Sequence, residues 1–113
     1  MSVVRLATEA DAPLLPPIER SAAESFRAVP GLEWIAEDTV LSEEDHRAAI
    51  RAGDVWIVAD EDDRPFGFLS AERIDGELHI HELSVRRDRQ GQGHGRRLAD
   101  AAIAQAKAMG SPA

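Results

Sequence analysis

Two stretches of this chain hold residue types that could do chemistry together. One reads His79-Ile80-His81-Glu82, and the other, residues 86–97, reads RRDRQGQGHGRR, with Gly91, Gly93 and Gly95 set among five arginines. Imidazole has an unperturbed pKa of about 6.5, so either histidine suits general-base work near neutrality. Glu82 beside them is a second candidate base. Glycines at alternate positions just ahead of a helix let backbone amides approach an anion closely. The helix start adds its own unpaired amides, and the arginines add counter-charge for phosphate.

Those residues need elements to hold them. Val3-Val4-Arg5-Leu6 reads as a first strand, and Thr8-x-x-Asp11 as a capping-box-like helix start. Leu14, Leu15, Ile18, Ala22 and Phe26 recur at helical spacing. Pro16-Pro17 inside that pattern predicts a kink or a fresh helix start, and Pro30-Gly31 ends it. Ser42-x-x-Asp45 caps a second helix that stops at Gly53. Strands are expected over 55–59 and 66–74, and Asp75-Gly76 signals a hairpin into a strand over 77–85. Along that strand Leu78 and Ile80 share a face, yet the apolar residues resume at Leu83 and Val85. A β-bulge near Glu82 explains the slip in parity; the alternative is a strand that simply leaves the sheet there. Leu98, Ala101, Ala102, Gln105 and Met109 form one face of a last helix, closed by Gly110 and Pro112.

Composition narrows the function. At 113 residues the chain suits one domain. No run approaches the roughly 20 apolar residues of a membrane helix, and no secretory leader is visible. With zero Cys there is no disulfide framework and no thiolate metal site. A cytoplasmic protein that touches no membrane and needs no metal is the expectation. Net charge is −8, but residues 86–97 carry a local +4, leaving eight basic and twenty acidic residues elsewhere. General nucleic-acid binding wants a broad basic face, so no nucleic-acid partner is expected. An acidic body with one basic spot fits a small polyanion at the spot and a cationic second substrate.

Four readings of the glycine segment compete. A Walker A loop needs Lys-Ser/Thr after its last glycine, and Arg96-Arg97 stands there. A dinucleotide fingerprint needs G-x-G-x-x-G close behind a strand within a βαβ unit; here the spacing is G-x-G-x-G. A loop for the pyrophosphate of an acyl-CoA needs close-approach glycines, converging amides and basic residues, and all three are present. The plain alternative is a flexible strand-to-helix turn with solvated arginines.

Gln90-Gly91-Gln92-Gly93-His94-Gly95 resembles the Q/R-x-x-G-x-G/A signature of the GNAT superfamily, the general-control-related N-acetyltransferases. The wider string from Leu83 to Leu98 resembles that family's strand-loop-helix core, and Arg5-Leu6-Ala7-Thr8-x-x-Asp11 its opening. The resemblance implies an α/β fold, a mixed and mainly antiparallel sheet flanked by helices, as a single domain over residues 1–113. It implies acetyl-CoA as acyl donor and a primary amine as acceptor: a small molecule, an amino acid or a peptide N-terminus. The backbone of Leu83, Ser84 and Val85 would meet the pantetheine arm. Amides of Gln90, Gly91, Gln92, Gly93, His94 and Gly95 would hold the pyrophosphate, with Arg89 and Arg96 among the charges beside it. His79-Ile80-His81-x-Leu83-x-Val85 is similar to the paired-histidine strand of the serotonin N-acetyltransferases.

An ammonium has no lone pair, so acetylation needs a base or a water relay to one. Glu82 or His81 is the expected base, with His79 supporting, and the Leu83 or Val85 amide faces the oxyanion. His94 is expected at the surface rather than in catalysis. Two departures from the family stand out. The family continues through further strands and a helix after the position of Ala113, and it often uses a Tyr as acid, whereas this sequence holds zero Tyr. Either the chain is the N-terminal portion of a longer enzyme, or a partner chain completes the site as a homodimer, or the domain is inactive as it stands. The first is the expectation. The alternative function is a non-catalytic CoA-binding or protein-interaction module.

Overall fold

The computed structural model describes residues 2–36 and 41–108; Met109, Gly110 and Pro112, expected to end the last helix, lie outside them. Four strands form one antiparallel sheet in chain order: β1 (Val3–Leu6), β2 (Val55–Ala59), β3 (Pro65–Ile74) and β4 (Glu77–Val85). The helices are α1 (Leu15–Glu24), α2 (a single turn, Glu33–Ala36), α3 (Glu43–Arg51) and α4 (His94–Ala108). Alternate strand residues feed two cores. Val55, Ile57, Ala59 and Phe68 pack with Leu15, Ile18 and Ile50 of α1 and α3. Trp56, Val58, Leu69 and Ala71 pack with Leu98, Ala102 and Ala106 of α4. All five residues of β2 are buried because both faces are covered.

The local signals act as their chemistry requires. Pro16-Pro17 marks a fresh start: α1 begins there, after a 3-10 helix over Glu9–Leu14. Ser42 caps α3, its hydroxyl accepting the Asp45 amide at 3.1 Å. Two expectations are corrected. Helix α1 ends at Glu24, so Phe26 falls in a 3-10 turn over Ser25–Ala28; Ser25 donates its hydroxyl to the Ala22 carbonyl at 2.8 Å and competes with the helix ladder there. On α4 the buried stripe is Leu98, Ala102 and Ala106, while Gln105 is exposed. An alanine-rich helix has little contrast between faces, so the sequence placed the stripe one residue off.

Asp11 ties three segments together. Its carboxylate takes a bidentate pair from Arg5 at 2.8 and 3.1 Å and the Thr8 amide at 2.8 Å, while Arg5 Nε reaches Asp63 in the β2–β3 turn at 3.1 Å. Burial pushes the Asp11 carboxyl up, but the hydrogen bonds from Arg5 and Thr8 outweigh it and hold the pKa below the usual range. A depressed carboxylate stabilises the fold above its unfolded pKa, and that stability is lost as pH falls through the folded pKa. His46 acts in the same direction. It is fully buried edge-on to Phe68, and burial lowers its pKa, so its stabilising contribution fades as pH falls below the ordinary histidine range. Asp11→Asn is expected to cost about 1.5–3 kcal/mol and to remove part of the acid-limb slope, read from urea unfolding as a function of pH.

Candidate functional site

The hairpin sets where the chemistry-bearing residues fall. Asp75 and Gly76, with φ of +53° and +82°, form the tight turn that pairs Ile74 with Glu77 and so fixes the register of β4. Ala71 pairs with Ile80 but Ser70 pairs with Glu82, leaving His81 as the extra residue of a bulge. That bulge restores the pattern: Leu78, Ile80, Leu83 and Val85 all oppose β3 residues 73, 71, 69 and 67 on the α4 side. On the α3 side it leaves His81 and Glu82 consecutive, with His79 two residues back.

Among the described residues β4 is an edge strand, and its backbone divides into inward and outward groups. Arg86 donates its amide to Phe66 at 2.8 Å. By the alternation of antiparallel pairing, Ser84 is spent on the sheet opposite Phe68, and the groups of Leu83 and Val85 turn to the open edge. Gln90 Nε2 donates to the outward Val85 carbonyl at 3.0 Å, folding the loop back along the strand. Ser84 thus differs from its two neighbours in facing β3. Its side chain is buried on the opposite face and donates to Glu82 Oε1 at 3.1 Å.

The glycine loop closes onto that edge. Gly91 and Gly93 have φ of +79° and +82°, a region costly for residues with a Cβ. Arg97 donates its amide to Gly93 O at 3.1 Å, so the helix ladder starts at Gly93 and the next amides have no intrahelical acceptor. Between strand edge and helix start lies an open cleft of about 260 Å³, lined by Leu83, Val85, Arg89, Gln90, Gly91, Gly93, His94 and Gly95. A Cβ on Gly95 would stand 3.7 Å from Leu83, an ordinary contact distance, so the helix start lies beside the strand.

The arginines separate by what they touch. Arg89 lies over the Phe66 ring, 4.6 Å from its centroid, and stays at the cleft. Arg97 turns to Ser2, with Nη2 on its carbonyl at 3.0 Å. Arg96 is exposed on the first turn of α4, away from the cleft walls. His94 packs edge-on against Phe66 at 4.8 Å; burial, then the Arg97 and Arg89 charges, lower its pKa and keep it neutral beside the arginines. Gln92 faces a neighbouring cavity and meets His94 Nε2 at 3.3 Å.

On the α3 side, His81 Nε2 pairs with Glu72 Oε2 at 2.7 Å, and exposed His79 Nε2 lies 3.5 Å from Glu77 Oε2. Glu82 is half-buried. Glu72 and Phe66 carry contacts that sequence reasoning missed. Glu72 was reachable by counting back from the Asp75-Gly76 turn, which sets it opposite His79. The seating of Arg89 on Phe66 spans 23 positions and left no local signal.

Comparison with known proteins adds three observations. The sequence pattern described as the "Acetyltransferase (GNAT) family" matches residues 17–113. The fold superimposes on the PaiA N-acetyltransferase of Thermoplasma acidophilum in complex with coenzyme A, at a TM-score of 0.78 and 19% identity over 98% of this chain. It superimposes likewise on YncA, a putative acetyltransferase of Salmonella typhimurium with acetyl-CoA (0.73, 21% and 98%). The N-acetylglutamate synthase of Neisseria gonorrhoeae, complexed with coenzyme A and N-acetyl-glutamate, gives 0.74, 19% and 98%. The chain spans 75%, 66% and 24% of the lengths of those three proteins. Among the described residues, no helix is long and apolar enough to cross a membrane.

Proposed function

The chain belongs to the GNAT acetyltransferase family, and from that premise we propose that it transfers the acetyl group of acetyl-CoA to a primary amine. One observation carries the reading: the cleft where the outward edge of β4 meets the glycine loop and the first turn of α4. Its amides suit a pyrophosphate, and Arg89, seated on Phe66, adds a fixed positive charge. An arm running along β4 would find the outward groups of Leu83 and Val85, as an added strand would.

In the proposed reaction the amine nitrogen attacks the thioester carbonyl. One ammonium proton first passes to a base and frees the lone pair; then a carbon–nitrogen bond forms, the carbon–sulfur bond breaks, and the second proton shed by the nitrogen ends on the departing thiolate. Glu82 is assigned as base, directly or through one water. Its Oε1 is held by the Ser84 hydroxyl, which leaves Oε2 for the amine. His81 is committed to Glu72 at 2.7 Å and is assigned to the amine side, with His79 farther along the same face. The Leu83 amide, beside Glu82 and turned to the open edge, is the proposed oxyanion donor.

Thiol release from acetyl-CoA with a mixed panel of primary amines tests this. Release that depends on an added amine is the expected result. Binding of acetyl-CoA with no release for any amine would instead leave a CoA-binding module, whose free β4 edge is suited to docking a partner strand.

A further inference from the structure

Among the described residues nothing pairs with the outer edge of β4. Its exposed side chains include Ile80, at 51%, and Leu83, at 45%. An open edge of this kind is a pairing surface, which lysine or proline commonly blunts; β4 contains neither. It does contain the bulge, and the bulge decides what the edge can pair with. Counting from the turn-flanking pair Ile74–Glu77, alternation turns the backbone groups of Leu78 and Ile80 outward. Ala71, opposite Ile80, agrees: its amide is spent on the other side, on Asp54 O at 2.9 Å. Beyond the bulge Leu83 and Val85 turn outward. These four residues also share the α4 side of the sheet.

That pattern is self-complementary about one point. An antiparallel copy of β4, with the two-fold axis between His81 and Glu82, sets Ile80 opposite Leu83 and Leu78 opposite Val85. Outward amides and carbonyls then meet outward ones, and apolar side chains meet apolar ones. On the α3 side His81 falls opposite Glu82, and His79 opposite Ser84. One step past the strand end, Glu77 falls opposite Arg86, so charges of opposite sign meet. Moving the register by one residue sets outward groups against inward ones. Moving it by two sets a bulge residue opposite Ile80 or Leu83. We propose that two copies of this chain pair through β4 in this register, extending the sheet across a two-fold axis.

The copy takes the outward groups of Leu83 and Val85, which the arm of acetyl-CoA would also take, so dimer and cofactor exclude one another. Gln90, whose Nε2 holds Val85 O at 3.0 Å, yields at each end. One strand pair falls short of the roughly 1,000 Å² of a stable interface, so the dimer is weak, with a Kd between about 10 μM and 1 mM. The exclusion rests on the acetyl-CoA reading, but the pairing does not.

Sedimentation equilibrium of the full chain, from micromolar to millimolar concentration, tests both. The apparent mass should rise from 12.3 kDa toward twice that value and return to it when acetyl-CoA saturates the protein. Ile80→Lys, at an exposed position outside the cofactor cleft, should stay monomeric and still bind acetyl-CoA. In a mixture of isotope-labelled and unlabelled wild-type chains, NMR contacts between copies should join Ile80 to Leu83. A monomer at every concentration would leave the edge to a strand of another protein and overturn the proposal. So would a dimer whose contacts between copies lie elsewhere. A dimer in this register that persists with acetyl-CoA bound overturns the exclusion, and with it the place of the cofactor on the edge. A dimer in this register with no binding of acetyl-CoA upholds the pairing and rejects the cofactor reading.

Discussion

Glu82→Gln is expected to lower kcat/KM for the amine by roughly a hundredfold to ten-thousandfold, the range for losing a positioned general base. Acetyl-CoA affinity should be unchanged, because the cofactor cleft is built from Leu83 onward and on the other side of the strand. The substitution keeps the side-chain shape and an acceptor oxygen for the Ser84 hydroxyl, so the bulge should persist. An amide cannot take the ammonium proton, so the loss should appear in kcat rather than in cofactor binding. Retained activity in this variant would move the base to His81, whose present partner is Glu72 at 2.7 Å. His81→Gln is the complementary measurement: it should weaken amine handling without matching the Glu82 effect.

Gly93→Asp is expected to raise the acetyl-CoA Kd by about a hundredfold, or about 2.7 kcal/mol. Three effects act together. The residue sits at φ +82°, where a side chain strains the backbone. Nothing lies within 4 Å of an added Cβ, so crowding contributes nothing. The new carboxylate would accept the first-turn amides of α4, which aspartate does well at a helix start; those are the amides proposed for the pyrophosphate. It would also repel the phosphates directly. The helix should therefore stay folded while the binding site is lost. Gly93→Ala separates the terms, since it keeps the strain and omits the charge, and its Kd should fall between wild type and Gly93→Asp.

Much of this architecture could be read from the sequence because the informative signals are local. The Pro16-Pro17 helix start, the Ser42 cap and the Asp75-Gly76 turn each act within a few residues. The bulge was legible for a similar reason: one misplaced parity between Ile80 and Leu83 requires one extra residue, and His81 is that residue. Eight of the residues expected at the cofactor share one cleft, because seven of them are close in sequence around a single strand-to-helix turn or directly before it. Legibility failed where position depends on another element. The hydrogen bond from the Ser84 hydroxyl to Glu82 depends on the bulge and on the face that it sets, and no local pattern announced it. Arg97 looked like a phosphate ligand, but it holds the N-terminal strand through Ser2. Five arginines in twelve positions predict a charge; only packing decides which of them faces the cleft.

The central claim is that the β4 edge and the glycine loop together hold acetyl-CoA. Amide resonances report on it directly in a chain of 113 residues. Titration with acetyl-CoA, followed by two-dimensional NMR, should shift the amides of Gly91, Gly93 and Gly95 at the loop and of Leu83 and Val85 along the strand. The α3-side amides of residues 45–52 should stay in place. Saturable shifts confined to other surfaces, with the loop glycines unmoved, would contradict the account.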